Sequence, residues 1–204
     1  VHHLVLGQAR PKTPLGAVHP ISGDGGMAYC FTGFFDGDER KDVLLVPGPT
    51  APPTLRPQVL LSRPTGVGQP GFSPPITVPV RSFAYQAVAV DDIDGDGWPD
   101  ILFSNFRDDS GDFEIDSILY WGSEDGFSSD DTTSLPTKGA SGCNIADLNK
   151  DGYKDILFSQ IRDNSSSDVN NVSAIIYYGF ANTATDPAHT VSFDNDPSHT
   201  TYLY

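Results

Sequence analysis

Two segments of this chain repeat each other at an offset of 55 residues. Residues 92–108 read DIDGDGWPDILFSNFRD, residues 147–163 read DLNKDGYKDILFSQIRD, and ten of the 17 aligned positions are identical. A third, degenerate copy of this segment, FFDGDERKDVLLV, occupies residues 34–46. It aligns with the other two when Asp42 is matched to Asp100 and Asp155, the last Asp of the acidic loop that begins each of them. A repeat of this length is one supersecondary unit that buries its faces only against neighbouring copies.

Each repeat has the pattern of four short β-strands. A first run enters the acidic loop at residues 86–90 and 142–146, and an Asp-Ile-Leu-Phe-Ser run leaves it. The third run is of the ILYWG type, and a weaker Thr/Ser-rich stretch such as residues 132–135 is the fourth. With 20 Gly, 17 Pro and no helical periodicity, the sequence favours strands and turns. It predicts an all-β fold of propeller blades, each made of four antiparallel strands.

We interpret residues 1–204 as a single propeller region with repeat starts near residues 28, 86 and 142. The segment HLVLG near the N-terminus resembles the later ILYWG and IIYYG runs, so residues 1–27 are predicted to end a preceding blade. The chain would then hold about three and a half blades. Because it opens without an initiator methionine or a signal peptide, we expect a processed or partial chain.

The two well-kept acidic loops place oxygen ligands at positions 1, 3, 5 and 9, with a backbone carbonyl available at position 7. Gly at position 6 permits a sharp turn, and hard oxygen ligands in this number suit Ca²⁺ better than Mg²⁺. The predicted ligands are Asp92, Asp94, Asp96, the Trp98 carbonyl and Asp100 in one loop, and Asp147, Asn149, Asp151, the Tyr153 carbonyl and Asp155 in the other. Two Ca²⁺ sites are therefore expected, the second weaker because it has one charge fewer.

The upstream copy of the loop is degenerate. It keeps Asp36, Asp38 and Asp42 but has Phe34 at position 1 and Glu39 where Gly belongs, so we expect it to have lost its metal. The alternative for all copies is a solvated Asp-rich turn without metal. Four like charges within nine residues make that alternative costly in the two complete loops.

The charge balance excludes one class of function. The formal net charge is −15, with 24 of the 27 acidic residues being Asp, so nothing here would displace the counterions of a nucleic acid. No apolar run is long enough for a membrane span. There is no GxSxG, Walker or HExxH motif, so the sequence favours a non-catalytic protein, with a part of a carbohydrate-active enzyme as a residual alternative.

The two D-x-[DN]-x-D-G-x-x-D loops, the Ile-Leu-Phe-Ser strand after each, and the WG or YG ending of the third strand resemble the FG-GAP/VCBS repeat family, which includes the β-propeller of integrin α-subunits. The resemblance covers nearly the whole chain, and the family's metal ligands fall on the loop positions given above. It implies an extracellular, secreted or cell-surface propeller that binds calcium and serves adhesion, carbohydrate binding or assembly.

A closed ring of seven such blades needs roughly 400 residues. We therefore expect a protein partner or further propeller blades, supplied by the same chain or another, to complete the ring. The leading hypothesis is a non-catalytic extracellular module for adhesion or assembly.

A first alternative is a lectin that binds glycans, in which Trp98 and Trp121 stack on sugar rings. Their counterparts Tyr153 and Tyr178 in the next repeat indicate structural packing instead. A second alternative is the accessory propeller of a carbohydrate-active enzyme.

The two cysteines occupy equivalent first-strand positions in repeats that are not adjacent. Cys30 and Cys143 each lie 12 residues before the last Asp of their loops, and the intervening repeat has Val88 there. Packed sheets lie about 10 Å apart, beyond the reach of a disulfide. We predict two buried free thiols.

Two N-x-S sequons occur, at Asn164 and Asn171, in a polar insertion between the second and third strands. They are candidates for glycosylation if the source is a eukaryote with a secretory route, although such triplets are also common by chance.

Overall fold

Antiparallel β-strands make up all the regular secondary structure in the described part of the chain. The structure, a computed structural model, describes residues 2–4, 19–21, 27–48, 51–52, 54–64, 70–79, 85–165, 172–181 and 191–194. Among these residues no helix is present, and consequently none that could cross a membrane.

The strands of the described residues are short, as the frequent Gly, Pro and Asp turns require. They are β1 (His2–Leu4), β2 (His19–Ile21), β3 (Met27–Gly33), β4 (Asp42–Pro47), β5 (Gln58–Leu60), β6 (Ser62–Pro64), β7 (Pro70–Phe72), β8 (Ile76–Thr77), β9 (Tyr85–Asp91), β10 (Asp100–Asn105), β11 (Ser117–Tyr120), β12 (Thr132–Leu135), β13 (Ala140–Ala146), β14 (Asp155–Gln160), β15 (Ile175–Ala181) and β16 (Val191–Asp194).

Three four-stranded sheets follow one another along the chain. The first blade has the order β3-β4-β5-β8, the second β9-β10-β11-β12 and the third β13-β14-β15-β16, and every pairing is antiparallel. The hairpin β6-β7 is inserted between the last two strands of the first blade, and β1 pairs with β2 in a separate small sheet. The predicted all-β class with four-stranded antiparallel blades is confirmed, although the described residues do not form a closed ring.

The blades begin at Met27, Tyr85 and Ala140, beside the repeat starts that the sequence predicts. The assignment of residues 1–27 to a preceding blade, and of the whole chain to one propeller region, stays a prediction.

Apolar cores lie between neighbouring blades because each strand sends alternate side chains to opposite faces. In β10, Ile101 and Phe103 join the core shared with the first blade, whereas Leu102 joins the core shared with the third. All three side chains are fully buried. A blade is therefore a sheet with two apolar faces, and each face needs a neighbour.

The faces of the blades place the two cysteines in different surroundings. Both thiols are free, which confirms that they do not pair. Cys143 is half-buried, but Cys30 is exposed, so the prediction of two buried thiols is wrong for Cys30. Cys143 packs against the core between the second and third blades, whereas Cys30 lies on the opposite side of the first blade from the core shared with the second.

We expect the two thiols to be alkylated at very different rates in the native protein. Burial raises the pKa of Cys143 to about 12, so at pH 8 its thiolate fraction is on the order of 10⁻⁴. Labelling with a maleimide at pH 8 should modify Cys30 first and Cys143 only after denaturation. Cys30→Ser should remove the fast phase. Equal rates for both thiols in the native protein would contradict this arrangement.

Candidate metal centre

The three acidic loops each connect the first strand of a blade to the second. We call residues 34–42 the first loop, residues 92–100 the second loop and residues 147–155 the third loop. All three lie at the same end of their blades, because each ends in the Asp that begins the second strand.

The second loop is curled by its own carboxylates. Asp92 Oδ1 accepts the Gly95 N–H at 2.8 Å, and its Oδ2 accepts the Gly97 N–H at 3.1 Å. Both glycines have positive φ, 78° and 96°, the region that glycine adopts without strain. The turn at Gly97 is predicted by the sequence pattern, whereas the second left-handed position, at Gly95, is not.

Short bonds between alternate residues continue this curl. The Asp96 N–H donates to Asp94 Oδ1 at 3.2 Å, and the Trp98 N–H donates to Asp96 Oδ1 at 2.8 Å. Each bond closes an Asx turn, which bends the backbone around the loop centre.

Three of the predicted ligands come together in the second loop. One carboxylate oxygen from each of Asp92, Asp94 and Asp100 lies within 4.8 Å of the others. Oxygens on opposite sides of a Ca²⁺ ion are up to about 5 Å apart, so this group fits the ion. Asp96 is exposed and lies outside this group of three. The Trp98 carbonyl stays a predicted ligand.

The third loop repeats the curl with different residues. Asp147 Oδ2 accepts the Gly152 N–H at 3.1 Å, Asn149 Oδ1 accepts the Asp151 N–H at 3.0 Å, and Asp151 Oδ1 accepts the Tyr153 N–H at 2.9 Å. Gly152 has the same φ of 96° as its counterpart in the second loop, and Lys150 takes the other left-handed position at 62°.

One carboxylate oxygen of the third loop supports a cation at its centre. Asp147 Oδ1 is buried and has no hydrogen-bond partner. A buried carboxylate oxygen without a partner is costly, and a cation at the centre of the loop would satisfy it. The third loop therefore also fits a metal ion, with Asn149, Asp151, Asp155 and the Tyr153 carbonyl as its other predicted ligands.

The first loop contains its own cations. Arg63 Nη1 contacts Asp36 Oδ2 at 2.5 Å, and Arg40 Nη1 contacts Asp38 Oδ2 at 3.2 Å. The Arg63 guanidinium holds the pKa of Asp36 below its usual value, chiefly through the hydrogen bond. Two arginines thus neutralise the carboxylates that a metal would neutralise elsewhere, which is consistent with the expected loss of metal.

The last Asp of each loop accepts hydrogen bonds from two backbone N–H groups. In the second loop, Asp100 Oδ2 accepts the Ile93 N–H at 2.7 Å and Oδ1 accepts the Gly122 N–H at 2.8 Å. The equivalent pairs of donors are Phe35 and Ser62 for Asp42, at 2.8 and 2.6 Å, and Leu148 and Gly179 for Asp155, at 2.8 and 3.0 Å. Each carboxylate joins its loop to the end of the third strand. We call this arrangement the aspartate staple.

The staple occurs in all three blades, including the one whose loop is degenerate. Asp42, Asp100 and Asp155 are at most 1% exposed. Desolvation raises the pKa of Asp42 and raises that of Asp100 to about 8, while the backbone hydrogen bonds act in the opposite direction. Sequence reasoning assigned these residues only as metal ligands and missed the staple.

Comparison with protein families agrees with this repeated geometry. The FG-GAP-like repeat family matches residues 35–103 and again residues 92–158, which together cover more than half of the chain. This chain belongs to the FG-GAP-like repeat family. A comparison with curated proteins gives no significant match. FG-GAP-like repeats form propeller-type modules, are generally non-catalytic and are typically found in extracellular proteins.

The WG and YG endings of this FG-GAP-like chain follow from the staple. Gly122 and Gly179 each donate a backbone N–H to the staple carboxylate of their own blade. A Cβ on Gly122 would collide with the carbonyl of Pro99, and one on Gly179 with the carbonyl of Lys154. Glycine at these positions therefore allows the third strand to approach the loop closely enough for the hydrogen bond.

The two tryptophans lie in different environments. Trp121 is 2% exposed and packs in the core between the second and third blades, so the hypothesis that it stacks on a sugar is wrong. Its indole N–H donates to Thr133 Oγ1 at 3.0 Å. Trp98 is half-buried and lines a cavity between the first and second blades.

Of the two sequons, Asn171 lies outside the described residues. Asn164 is exposed, but its amide already links two blades: Nδ2 donates to Asp112 at 2.7 Å, and Oδ1 accepts the Phe113 N–H at 3.0 Å. Glycosylation of either residue stays a prediction.

Proposed function

We propose that this FG-GAP-like chain is a non-catalytic, calcium-stabilised propeller module that works outside the cell by assembling with further blades and with a protein partner. The observation that carries the proposal is an apolar face of the third blade. Its residues match those that the second blade buries against the third, yet here they are only partly covered. We call it the open face.

The exposed fractions of the side chains on the open face are compared with those of the equivalent residues in the second blade. Leu148 in the third loop is 48% exposed, whereas its counterpart Ile93 is 3% exposed in the core beneath the third blade. The other residues of the open face, Leu157, Ile176 and Tyr178, are half-buried. Their counterparts Leu102, Leu119 and Trp121 are at most 2% exposed. A further four-stranded blade would bury this face in the same way.

The far face of the first blade, at the other end of the described blades, has buried apolar side chains. Met27, Val43, Leu45 and Leu60 form a small core on the far face of the first blade, each at most 4% exposed, with Leu55 and Phe72 packed against it. These far-face residues of the first blade are thus covered, whereas Leu148 and its neighbours on the open face are not fully buried. Addition of further blades is therefore expected there first.

Calcium would act structurally in this module. In the second loop Asp92, Asp94, Asp96 and Asp100 would hold the ion, and in the third loop Asp147, Asn149, Asp151 and Asp155 would hold another. A bound ion would neutralise the clustered carboxylates and stabilise the folded state by mass action. The support for this is the group of three carboxylates in the second loop and the unpartnered buried oxygen of Asp147.

Assembly through the open face is tested by native mass spectrometry in calcium. We expect complexes larger than the 21.9 kDa chain, either with copies of itself or with a co-purifying chain. The double variant Leu157→Glu/Ile176→Glu should reduce these complexes to the monomer, because two charges would have to be buried at the interface. A wild-type protein that is monomeric at all concentrations, with an unchanged melting curve in the double variant, would contradict the proposal.

A matched control places two glutamates on exposed surface that is not part of the open face. Ser128→Glu/Ser173→Glu changes two exposed residues, one in the β11–β12 connection and one before β15. This control should assemble like the wild type.

A further inference from the structure

A cavity of about 460 Å³ lies between the first and second blades, at the end that carries the acidic loops. Its volume falls within the range of small-molecule sites. Buried aliphatic side chains of the first blade, Val59, Leu61 and Val78, contribute to its wall. The cavity therefore has an apolar interior and does not depend on the open face of the third blade.

Three aromatic rings line this cavity. Phe35 and Phe127 lie 6.2 Å apart between ring centroids with a tilt of 55°. The Trp98 indole lies close over Gly37, since a Cβ at Gly37 would come within 2.7 Å of its Cη2 atom. Contact with the first loop thus restrains the indole, while the side chain stays only half-buried.

The polar part of the lining is acidic. Glu124 and Asp125 are exposed and lie on a turn that the Gly126 N–H closes by donating to the Ser123 carbonyl at 2.9 Å. Asp36 also lines the cavity and is paired with Arg63. Among the described residues, the lining contains no Lys, Arg or His.

We propose that this cavity binds an organic cation carried on an apolar stem, with a guanidinium group as the best match. A planar guanidinium stacks on aromatic faces and also pairs with carboxylates, so it would use both parts of the lining. Its stem would contact the aliphatic wall. The cavity would repel an anion, and a neutral ligand would gain no charge attraction from the two exposed carboxylates, only hydrogen bonds. Cation binding in this cavity would require neither calcium nor assembly.

The probe is N-acetyl-arginine amide, titrated into the full chain in saturating calcium and followed by calorimetry and tryptophan fluorescence. Its neutral counterpart, N-acetyl-citrulline amide, has nearly the same shape without the charge. We expect saturable binding of the arginine compound, with the citrulline compound about tenfold weaker or undetectable. N-acetylagmatine, which also carries a single guanidinium charge, serves as the free-cation arm: tighter binding of N-acetylagmatine would indicate a small-molecule ligand, and tighter binding of the amide a side chain of a partner protein.

The double variant Glu124→Gln/Asp125→Asn removes the charges without touching the core. It should bind the arginine compound about three- to tenfold more weakly, with its melting curve unchanged. The control, Asp109→Asn/Glu114→Gln, removes the same two charge types from the loop at the opposite end of β10 and should bind as the wild type does. Equal binding of the arginine and citrulline compounds, no saturable binding of any cation, or unchanged affinity in the double variant would overturn the proposal. Saturable binding of N-acetylglucosamine without cation binding would do the same and favour a lectin.

Discussion

Chelation with EDTA is expected to lower the melting temperature of this protein by roughly 10–20 °C, and Ca²⁺ should restore it at lower concentrations than Mg²⁺. With calcium about 100-fold above its Kd, each site adds about 2.7 kcal/mol of stability. For a chain of this size, 1 kcal/mol corresponds to about 2–4 °C. Two occupied loops give the expected range. A melting curve that is the same in EDTA and in calcium would exclude both sites.

Variants at one loop position separate the three copies. Asp96→Asn and Asp151→Asn each replace a charged ligand by a neutral amide oxygen, which weakens Ca²⁺ binding at that loop, so each should lose up to about half of the calcium-dependent gain. Asp38→Asn changes the equivalent residue of the first loop, where Arg40 already pairs with the carboxylate. This control should keep the full calcium response. A loss in Asp38→Asn equal to that in the other two variants would show that the first loop also binds the ion.

The second large effect on the stability of the protein is expected when the aspartate staple of the first blade is removed. Asp42→Ala should destabilise the protein by about 3–5 kcal/mol, because the Phe35 and Ser62 N–H groups would lose their acceptor in a buried site. Since the first loop holds no metal in our proposal, the loss should be the same in calcium and in EDTA. Thermal and urea unfolding under both conditions measure it.

A neighbouring carboxylate provides the control for this variant. Asp38→Ala removes a half-buried acid of the same loop whose partner Arg40 is exposed, so the expected loss is below about 1 kcal/mol. If Asp42→Ala cost no more than Asp38→Ala, the staple would not be holding the blade together. If its cost disappeared in EDTA, the role of Asp42 would instead be that of a metal ligand.

The fold class could be predicted because the relevant signals are local. The β-branched runs, the turn residues and the acidic loops recur at fixed spacing, and the structure places β12 at the residues that the sequence assigned to a fourth strand. Family membership followed from the same local signals and is confirmed by the match to residues 35–158.

The staple and the Asp36–Arg63 pair could not be predicted in the same way, because they join residues that are distant in sequence. Asp100 and Gly122 are 22 residues apart, and Asp36 is 27 residues away from Arg63, which lies in the inserted hairpin. Only the register of the strands brings them together. The exposure of Cys30 depends likewise on which face of the first blade is covered, and no local pattern reports that.

The aspartate staple makes the shape of a blade and its affinity for ions separable properties. Asp42 holds a blade whose loop has Phe34 in the first ligand position and arginines in place of an ion. If the intact loops bind calcium as proposed, a repeat of this kind could lose its ion response through changes at the other ligand positions while its strands stay in register. Within a single ring, some blades could then report the calcium level of their surroundings while others serve as inert spacers between them.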